Sequence, residues 1–523
     1  MEQENVVKLL NKKKRGLLQK VFFSRLTIIV VLILLQIVLS LGIFFWFRQY
    51  LTHYELLQGI FTFAMVLYLF NSPMDSSAKL TWLMVLAVVP YIGAFFLWYS
   101  QTNLGHRTIH DRSAELIRRT KNTLPQDETV LKNLEKDPYG TEDLHRYVNR
   151  SGCFPIYDDT DVTYFPLGED KFEAMLAELE KAETFIFMEY FIIEEGYMWG
   201  RILDVLARKA KEGVDVRVMY DGMCEITTLS HDYPKRLEKL GIQAKSFSPV
   251  TPVLSTHYNY RDHRKILVVD GKVAFTGGVN LADEYINRVE RFGHWKDAAI
   301  MLRGGAAMSF LLLFLQMWNI DEPEAQFEPY VSLPAVPAET PSGFVLPYGD
   351  CPLDGYRVGE TVYIDVLYRA TDYVHIMTPY LILDGEMETA LKFAAQRGVD
   401  VKLILPGIPD KKAAYSLAKT HYRALTEAGV QIFEYTPGFV HAKVCVSDEE
   451  KAVVGTINFD YRSLYHHFEC AAYLYQCSCI PRIEQDFQET LALCRPVTPE
   501  TIRKTPFGYK AAGTLLKFIA PLM

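Results

Sequence analysis

The sequence predicts an α/β protein in which two pseudo-symmetric α/β units stand behind an N-terminal α-helical membrane region. Two observations carry that prediction. Stretches beyond residue 150 recur later in the chain with the same internal spacing, and Leu26 to Phe47 form an uncharged apolar run of 22 residues. A chain of 523 residues is long enough for both.

Residues 1–25 read as a basic cytoplasmic tail, because Lys8, Lys12, Lys13, Lys14, Arg15, Lys20 and Arg25 face only Glu2 and Glu4. Residues 26–100 read as a membrane region with two or three transmembrane helices. Leu26–Phe47 is long enough to cross a bilayer. Leu80–Tyr99 predicts a second span with an internal Pro90, flanked by Trp82, Trp98 and Tyr99 as an interfacial belt. Leu56–Phe70, at 15 residues, is short and predicts either an assisted crossing or a re-entrant segment. This makes the protein multi-pass in a cell membrane. The eight cysteines all lie beyond residue 150 without the spacing of a disulfide framework.

A connecting segment, 101–150, leads to the first unit at 151–330. The Pro- and Gly-rich stretch 331–355 reads as a linker, 356–500 as the second unit, and 501–523 as an amphipathic segment that either lies on the membrane surface or packs as a plain helix. In the units, EGVDVRVMYDG (212–222) matches RGVDVKLILPG (397–407), and LEKLGIQAKSFSP (237–249) matches LTEAGVQIFEYTP (425–437). Each half thus reads helix, strand, helix, strand, with glycine closing a helix ahead of a buried strand. FLLLFLQMW (310–318) is too short for a span and predicts a core helix.

The repeat also carries a polar constellation. DHRKILVVDGKVAFTGGVN (262–280) is answered by VHAKVCVSDEEKAVVGTIN (440–458), and His263 to Asn280 is as long as His441 to Asn458. Strand alternation predicts that His263 and Lys265 share one face while Ile266 and Val268 anchor the other, and likewise for His441 and Lys443. Two such halves packed together bring four polar groups to one place. Asp270 and Asp448, at the strand ends, complete each motif and read as structural.

The pattern H-x-K-x4-D followed by x6-G-[GST]-x-N, present twice, resembles the phospholipase D superfamily, and within it the bacterial cardiolipin synthases. His263, Lys265, Asp270, Gly277, Gly278 and Asn280 fit the first copy; His441, Lys443, Asp448, Gly455, Thr456 and Asn458 fit the second. TGGVNLADEYI, FGHWKDAAI and the paired apolar segments after Leu56 add to the likeness. The resemblance implies a phosphatidyl transfer through a phosphohistidine, with His263 the nucleophile and His441 the acid and base. It places supporting carboxylates at Asp297 and Glu469.

The chemistry suits these residue types. A phosphodiester repels anionic nucleophiles, whereas a neutral imidazole attacks without that penalty. Lys265, Lys443, Asn280 and Asn458 are the expected phosphate-binding groups, Thr456 offers a hydroxyl, and at Gly278 backbone N–H groups are expected to replace the missing one. Glu189 and Thr378 interrupt buried strands at equivalent places and are expected either to line the site or to be satisfied locally. His466 and His467 read as peripheral. Cys477 and Cys479 lack zinc-ribbon spacing, so no metal and no other cofactor is expected.

A net charge of −8 beside membrane anchors favours phospholipid over nucleic acid, whose phosphates call for a basic surface. Exchanging one phosphodiester for another needs no nucleotide, and the sequence lacks a P-loop. The expected reaction joins two phosphatidylglycerols and releases glycerol. A phospholipase D that hydrolyses phospholipid to phosphatidic acid is the alternative.

Overall fold

The computed structural model describes residues 7–9, 38, 42, 51–101, 107–134, 140–249, 260–333, 336 and 338–522. They divide into two compact units. The larger holds the described residues from Ile109 to Thr514 together with 7–9; the smaller holds those from 38 to Thr108 and from Leu515 onward.

In the smaller unit, α1 (Leu51–Phe70), α2 (Ser76–Val88) and α3 (Pro90–Gln101) enclose Leu69, Trp82, Leu86, Ala94 and Leu97. Asp75 caps α2 by accepting from the Ser77 and Ala78 N–H groups at 2.8 and 3.1 Å. The continuous span expected over Leu80–Tyr99 is instead two short helices. Val89 leaves helical geometry at φ −135°, because the ring of Pro90 excludes that geometry from its predecessor and supplies no N–H. The stretch 56–70 lies within the longer α1. The expected span 26–47 lies outside the described residues but for Val38 and Gly42. Among the described residues no helix is long and apolar enough to cross a membrane. Leu56, Phe63, Leu80, Val88, Phe95 and Trp98 are nevertheless exposed.

The larger unit contains both copies of the repeat, each built on a sheet of one plan. The strands of the first copy are β1 (Asp161–Phe165), β2 (Phe185–Tyr190), β3 (Asp215–Asp221), β4 (Gln243–Phe247), β5 (Arg261–Asp262), β6 (Lys265–Val269), β7 (Val273–Gly277), β8 (His294–Lys296) and β9 (Ala299–Arg303). Those of the second are β10 (Phe344–Asp350), β11 (Tyr373–Met377), β12 (Asp400–Pro406), β13 (Gln431–Tyr435), β14 (Gly438–Val440), β15 (Val444–Ser447), β16 (Lys451–Gly455), β17 (His467–Tyr475) and β18 (Cys494–Pro496). The first sheet runs β1-β9-β7-β6-β2-β3-β4 and the second β10-β17-β16-β15-β11-β12-β13-β18. Element for element the order is the same until β18 extends the second. The matched glycines, Gly213 and Gly398, take φ near 100° after helices Tyr197–Lys211 and Gly385–Gln396, a turn that side chains with a Cβ disfavour.

Helix α4 (Ala306–Trp318) is buried along its whole length. It rests on β2, β6, β7 and β9 and also touches β10, so one apolar element ties the two halves together. The C-terminal segment contains helix α5 (Phe507–Ile519), with Phe507 and Leu515 exposed.

Each half also lends a short strand to the other. β5 pairs in parallel with β17 and β14 with β8, so the chain entering each motif first joins the opposite half. The motif strands β6 and β15 then sit between the antiparallel neighbours β7 and β2, and β16 and β11.

At their far ends Asp270 and Asp448 turn the chain at φ 53° and 56°. Asp270 accepts from the N–H groups of Glu183, Thr184 and Phe185 at 2.8–2.9 Å and from the Thr184 hydroxyl at 2.6 Å. Asp448 accepts from those of Thr371, Asp372 and Tyr373 at 2.9–3.0 Å. Each carboxylate therefore staples the motif turn to the start of the adjacent strand. Replacing Asp270 by Ala leaves these donors without their acceptor and is expected to lower stability by about 2 kcal/mol in urea denaturation. A loss under about 0.5 kcal/mol would mean that water satisfies them equally well.

Candidate active site

Neither histidine lies inside its motif strand. His263 occupies the gap between β5 and β6, and His441 that between β14 and β15. Side-chain alternation along a single strand is therefore not what positions them. Their backbones are held by the opposite half: the His263 N–H donates to the Phe468 carbonyl at 2.9 Å, and the His441 N–H to the Lys296 carbonyl at 2.7 Å. The residue after each acceptor is a carboxylate. Glu469 lies at 2.9 and 3.0 Å from His263 Nδ1, and Asp297 Oδ2 at 2.7 Å from His441 Nδ1. Both carboxylates are fully buried. Because a carboxylate only accepts, each favours the tautomer with the proton on Nδ1 and the lone pair on Nε2, although at His441 the Lys443 Nζ also lies 3.0 Å from Nδ1.

Burial pushes the pKa of His263 well down, and the Lys265 and Lys443 cations push it further; His441 interacts with it electrostatically as well. Burial and Lys443 hold His441 at about 4 despite Asp297. Both shifts favour the neutral imidazole. Burial also lowers Lys265 to about 8 and Lys443 to about 7. Each motif lysine folds back so that Nζ donates to the carbonyl of its own histidine. Burial would raise Asp297, but His441 and Lys443 outweigh it and keep the carboxyl below its ordinary range. Aromatic rings wall the site: Phe191 lies 4.9 Å from the His263 ring, and Tyr285, Trp295 and Phe439 lie 5.3, 5.4 and 5.9 Å from that of His441.

The supporting residues are less symmetric than the motifs. Asn280 is committed within the protein, accepting from the Ile192 N–H at 3.0 Å and donating to the Tyr285 hydroxyl at 2.9 Å. Asn458 Oδ1 is buried with no hydrogen-bond partner among the described residues. The Thr456 hydroxyl donates to Glu469 and so braces the carboxylate. Gly278 spends its N–H on the Ala298 carbonyl at 2.9 Å, which removes it as an oxyanion donor. Its role is space: a Cβ there would collide with Asp297 Oδ1 and lie 2.9 Å from the His441 carbonyl.

Glu189 and Thr378 both find local partners. Glu189 Oε1 pairs with Arg264 Nε at 2.7 Å, and the Thr378 hydroxyl donates to the Tyr380 carbonyl at 3.1 Å while accepting from the Phe459 N–H. Conversely, His467 is not peripheral. Its ring centroid is 5.3 Å from that of His263, on the face of β17 that also carries Glu469. The i, i+2 spacing in HFE was the available signal. Lys171 was also missed. It lies in the buried stripe of helix Gly168–Glu180 with Phe172 and Met175, donates to the Val279 carbonyl at 3.2 Å, and is lowered by burial to about 7.

The family described as cardiolipin synthase, PLD-like domain, matches residues 175–292 and 363–491. A cardiolipin synthase of Geobacillus kaustophilus is 34% identical over 512 residues, which cover 96% of this chain and 99% of the relative. The chain belongs to the cardiolipin synthase family of phospholipase D-like proteins. An uncharacterized protein of Streptococcus mutans is 56% identical over 458 residues, 88% of this chain and 99% of the relative. The fold is also similar to that of a phosphatidylserine synthase from Haemophilus influenzae, with a TM-score of 0.57 and 12% identity over 73% of this chain and all of the other.

Within this cardiolipin synthase-family fold, Lys171 makes stability depend on pH. The unfolded chain keeps this lysine protonated to about pH 10, whereas the folded protein releases the proton near pH 7. The cost of burying the cation is thus full below pH 7 and falls as pH rises above it. Lys171→Met is expected to flatten the rise of urea stability between pH 7 and 9 by about 1.4 kcal/mol per pH unit, measured beside the unsubstituted protein. An unchanged slope would mean that the lysine stays charged when buried.

Proposed function

We propose that this chain is a cardiolipin synthase that transfers a phosphatidyl group from one phosphatidylglycerol to another and releases glycerol. The reading rests above all on the two buried histidines, each held at Nδ1 by a carboxylate of the opposite half.

His263 Nε2 attacks the phosphorus of the first phosphatidylglycerol, forming an N–P bond as the bond to the headgroup oxygen breaks. His441, protonated on Nε2 while the anionic phosphodiester offsets the burial that otherwise keeps it neutral, gives that proton to the departing glycerol oxygen. Neutral again, His441 takes the proton from a hydroxyl of the second phosphatidylglycerol. The resulting oxygen attacks phosphorus, the N–P bond breaks, and cardiolipin leaves. Lys265 and Lys443, desolvated and close at hand, stabilise the charge on the equatorial oxygens. The aromatic wall keeps water from intercepting the phosphohistidine. One phosphodiester replaces another, so no nucleotide is consumed.

The exposed apolar side chains of α1, α2 and α3 support seating at lipid, in a multi-pass arrangement within a bacterial cell membrane where the substrate is stored.

Purified protein mixed with phosphatidylglycerol in detergent is expected to form cardiolipin and glycerol, read by mass spectrometry. His263→Ala and His441→Ala are each expected to slow this by about 10⁴-fold or more. With phosphorus-labelled lipid and a rapid quench, label is expected on His263 of the unsubstituted protein and is lost in His263→Ala. Label on His441 instead would exchange the two roles. Phosphatidic acid as the product would make water the acceptor and the enzyme a phospholipase D.

A further inference from the structure

His467 has no place in the mechanism above, yet it is buried beside the nucleophile. Only 7% of it is exposed, and neither ring nitrogen has a hydrogen-bond partner among the described residues. Its Nδ1 lies 3.6 Å from Glu469 Oε1, and the same oxygen lies 2.9 Å from His263 Nδ1. The three side chains offer ligand atoms within 4.8 Å of one another. Bond lengths of about 2.0–2.2 Å in a tetrahedral zinc site imply ligand-to-ligand edges of about 3.3–3.5 Å, which these separations bracket. Two imidazoles and one carboxylate form a familiar donor set for zinc-like cations, with the fourth position left to solvent.

We propose that His263, His467 and Glu469 form an inhibitory site for a divalent cation of the zinc class. The inhibitory sense follows from the tautomer and rests on the reading of His263 as the nucleophile. In the metal-free site Nδ1 holds the proton and Nε2 holds the lone pair. A cation bound at Nδ1 displaces the proton held there, the proton moves to the Nε2 lone pair, no net proton is released, and the atom that attacks phosphorus loses its nucleophilicity. Glu469 exchanges its hydrogen bond to His263 for a bond to the cation while Thr456 still braces it. Lys265 and Lys443 oppose a dication, which makes the site reversible rather than permanently filled.

Cobalt(II), a spectroscopic stand-in for zinc, is the first probe, added to the full chain in detergent. One equivalent is expected to develop the visible absorption of a four-coordinate site, and zinc is expected to displace it. The bands are lost in His467→Asn and in His467→Gln, the second variant guarding against a folding defect peculiar to the first. In parallel, zinc is expected to suppress cardiolipin formation, with recovery on chelation, and the inhibitory concentration is expected to rise by about tenfold or more in either variant. Absence of the bands, or equal zinc sensitivity in all three proteins, overturns the site. Binding without inhibition overturns its inhibitory role. The cobalt readout needs no turnover, so a protein that binds cobalt yet makes no cardiolipin refutes the proposed function and leaves the cation site standing.

Discussion

The reciprocal loan of β5 and β14 between the halves is the constraint on which the site depends. Through it each histidine backbone is hydrogen-bonded to the residue of the other half that directly precedes its carboxylate. A half taken alone would hold a histidine without Glu469 or Asp297, and a fully buried carboxylate without its cationic or N–H partner. Leaving a buried charge unpaired costs several kcal/mol, so folding of each half is coupled to docking of the other. Helix α4 reinforces this by burying its whole surface between the sheets.

The same crossing explains why the site tolerates so much desolvated charge. Lys171, Lys265 and Lys443 are all buried, and each has its pKa pulled down by the loss of water. Lysines desolvated in this way gain from an anionic phosphodiester placed among them. Preorganisation of cations around a place where negative charge develops is an effective form of phosphoryl-transfer catalysis, because nothing need reorganise as the charge appears. Stability is given up in the unliganded protein for that arrangement.

Glycine and hydroxyl positions in the two motifs show how local sequence differences are absorbed. The second copy uses the Thr456 hydroxyl to brace Glu469, whereas the first leaves Gly278 bare because Asp297, shorter by one methylene, must approach the backbone there. Pseudo-symmetry in the chain therefore yields two carboxylates held by different means. Asn280 and Asn458 diverge likewise, one tied to Ile192 and Tyr285 and the other with its carbonyl oxygen unpaired among the described residues.

Much was legible from local pattern: the repeat, the equal spacing of the motifs, the glycine-closed helices, the strands and the short core helix, since periodicity and turn chemistry act within a few residues. The broken helix at Pro90 was open to a local reading as well, but hydropathy averages over a window and hides a single kink. His467 and Lys171 are different. A histidine or lysine in an amphipathic pattern has no assigned burial until the opposing surface is known, and both surfaces come from far along the chain. Which carboxylate serves which histidine is likewise a property of the exchanged strands. The sequence by itself determined the two motifs and the elements that carry them; the tertiary structure decided their cross-partnered geometry, because hydrogen bonds between residues more than a hundred positions apart leave no trace in local spacing.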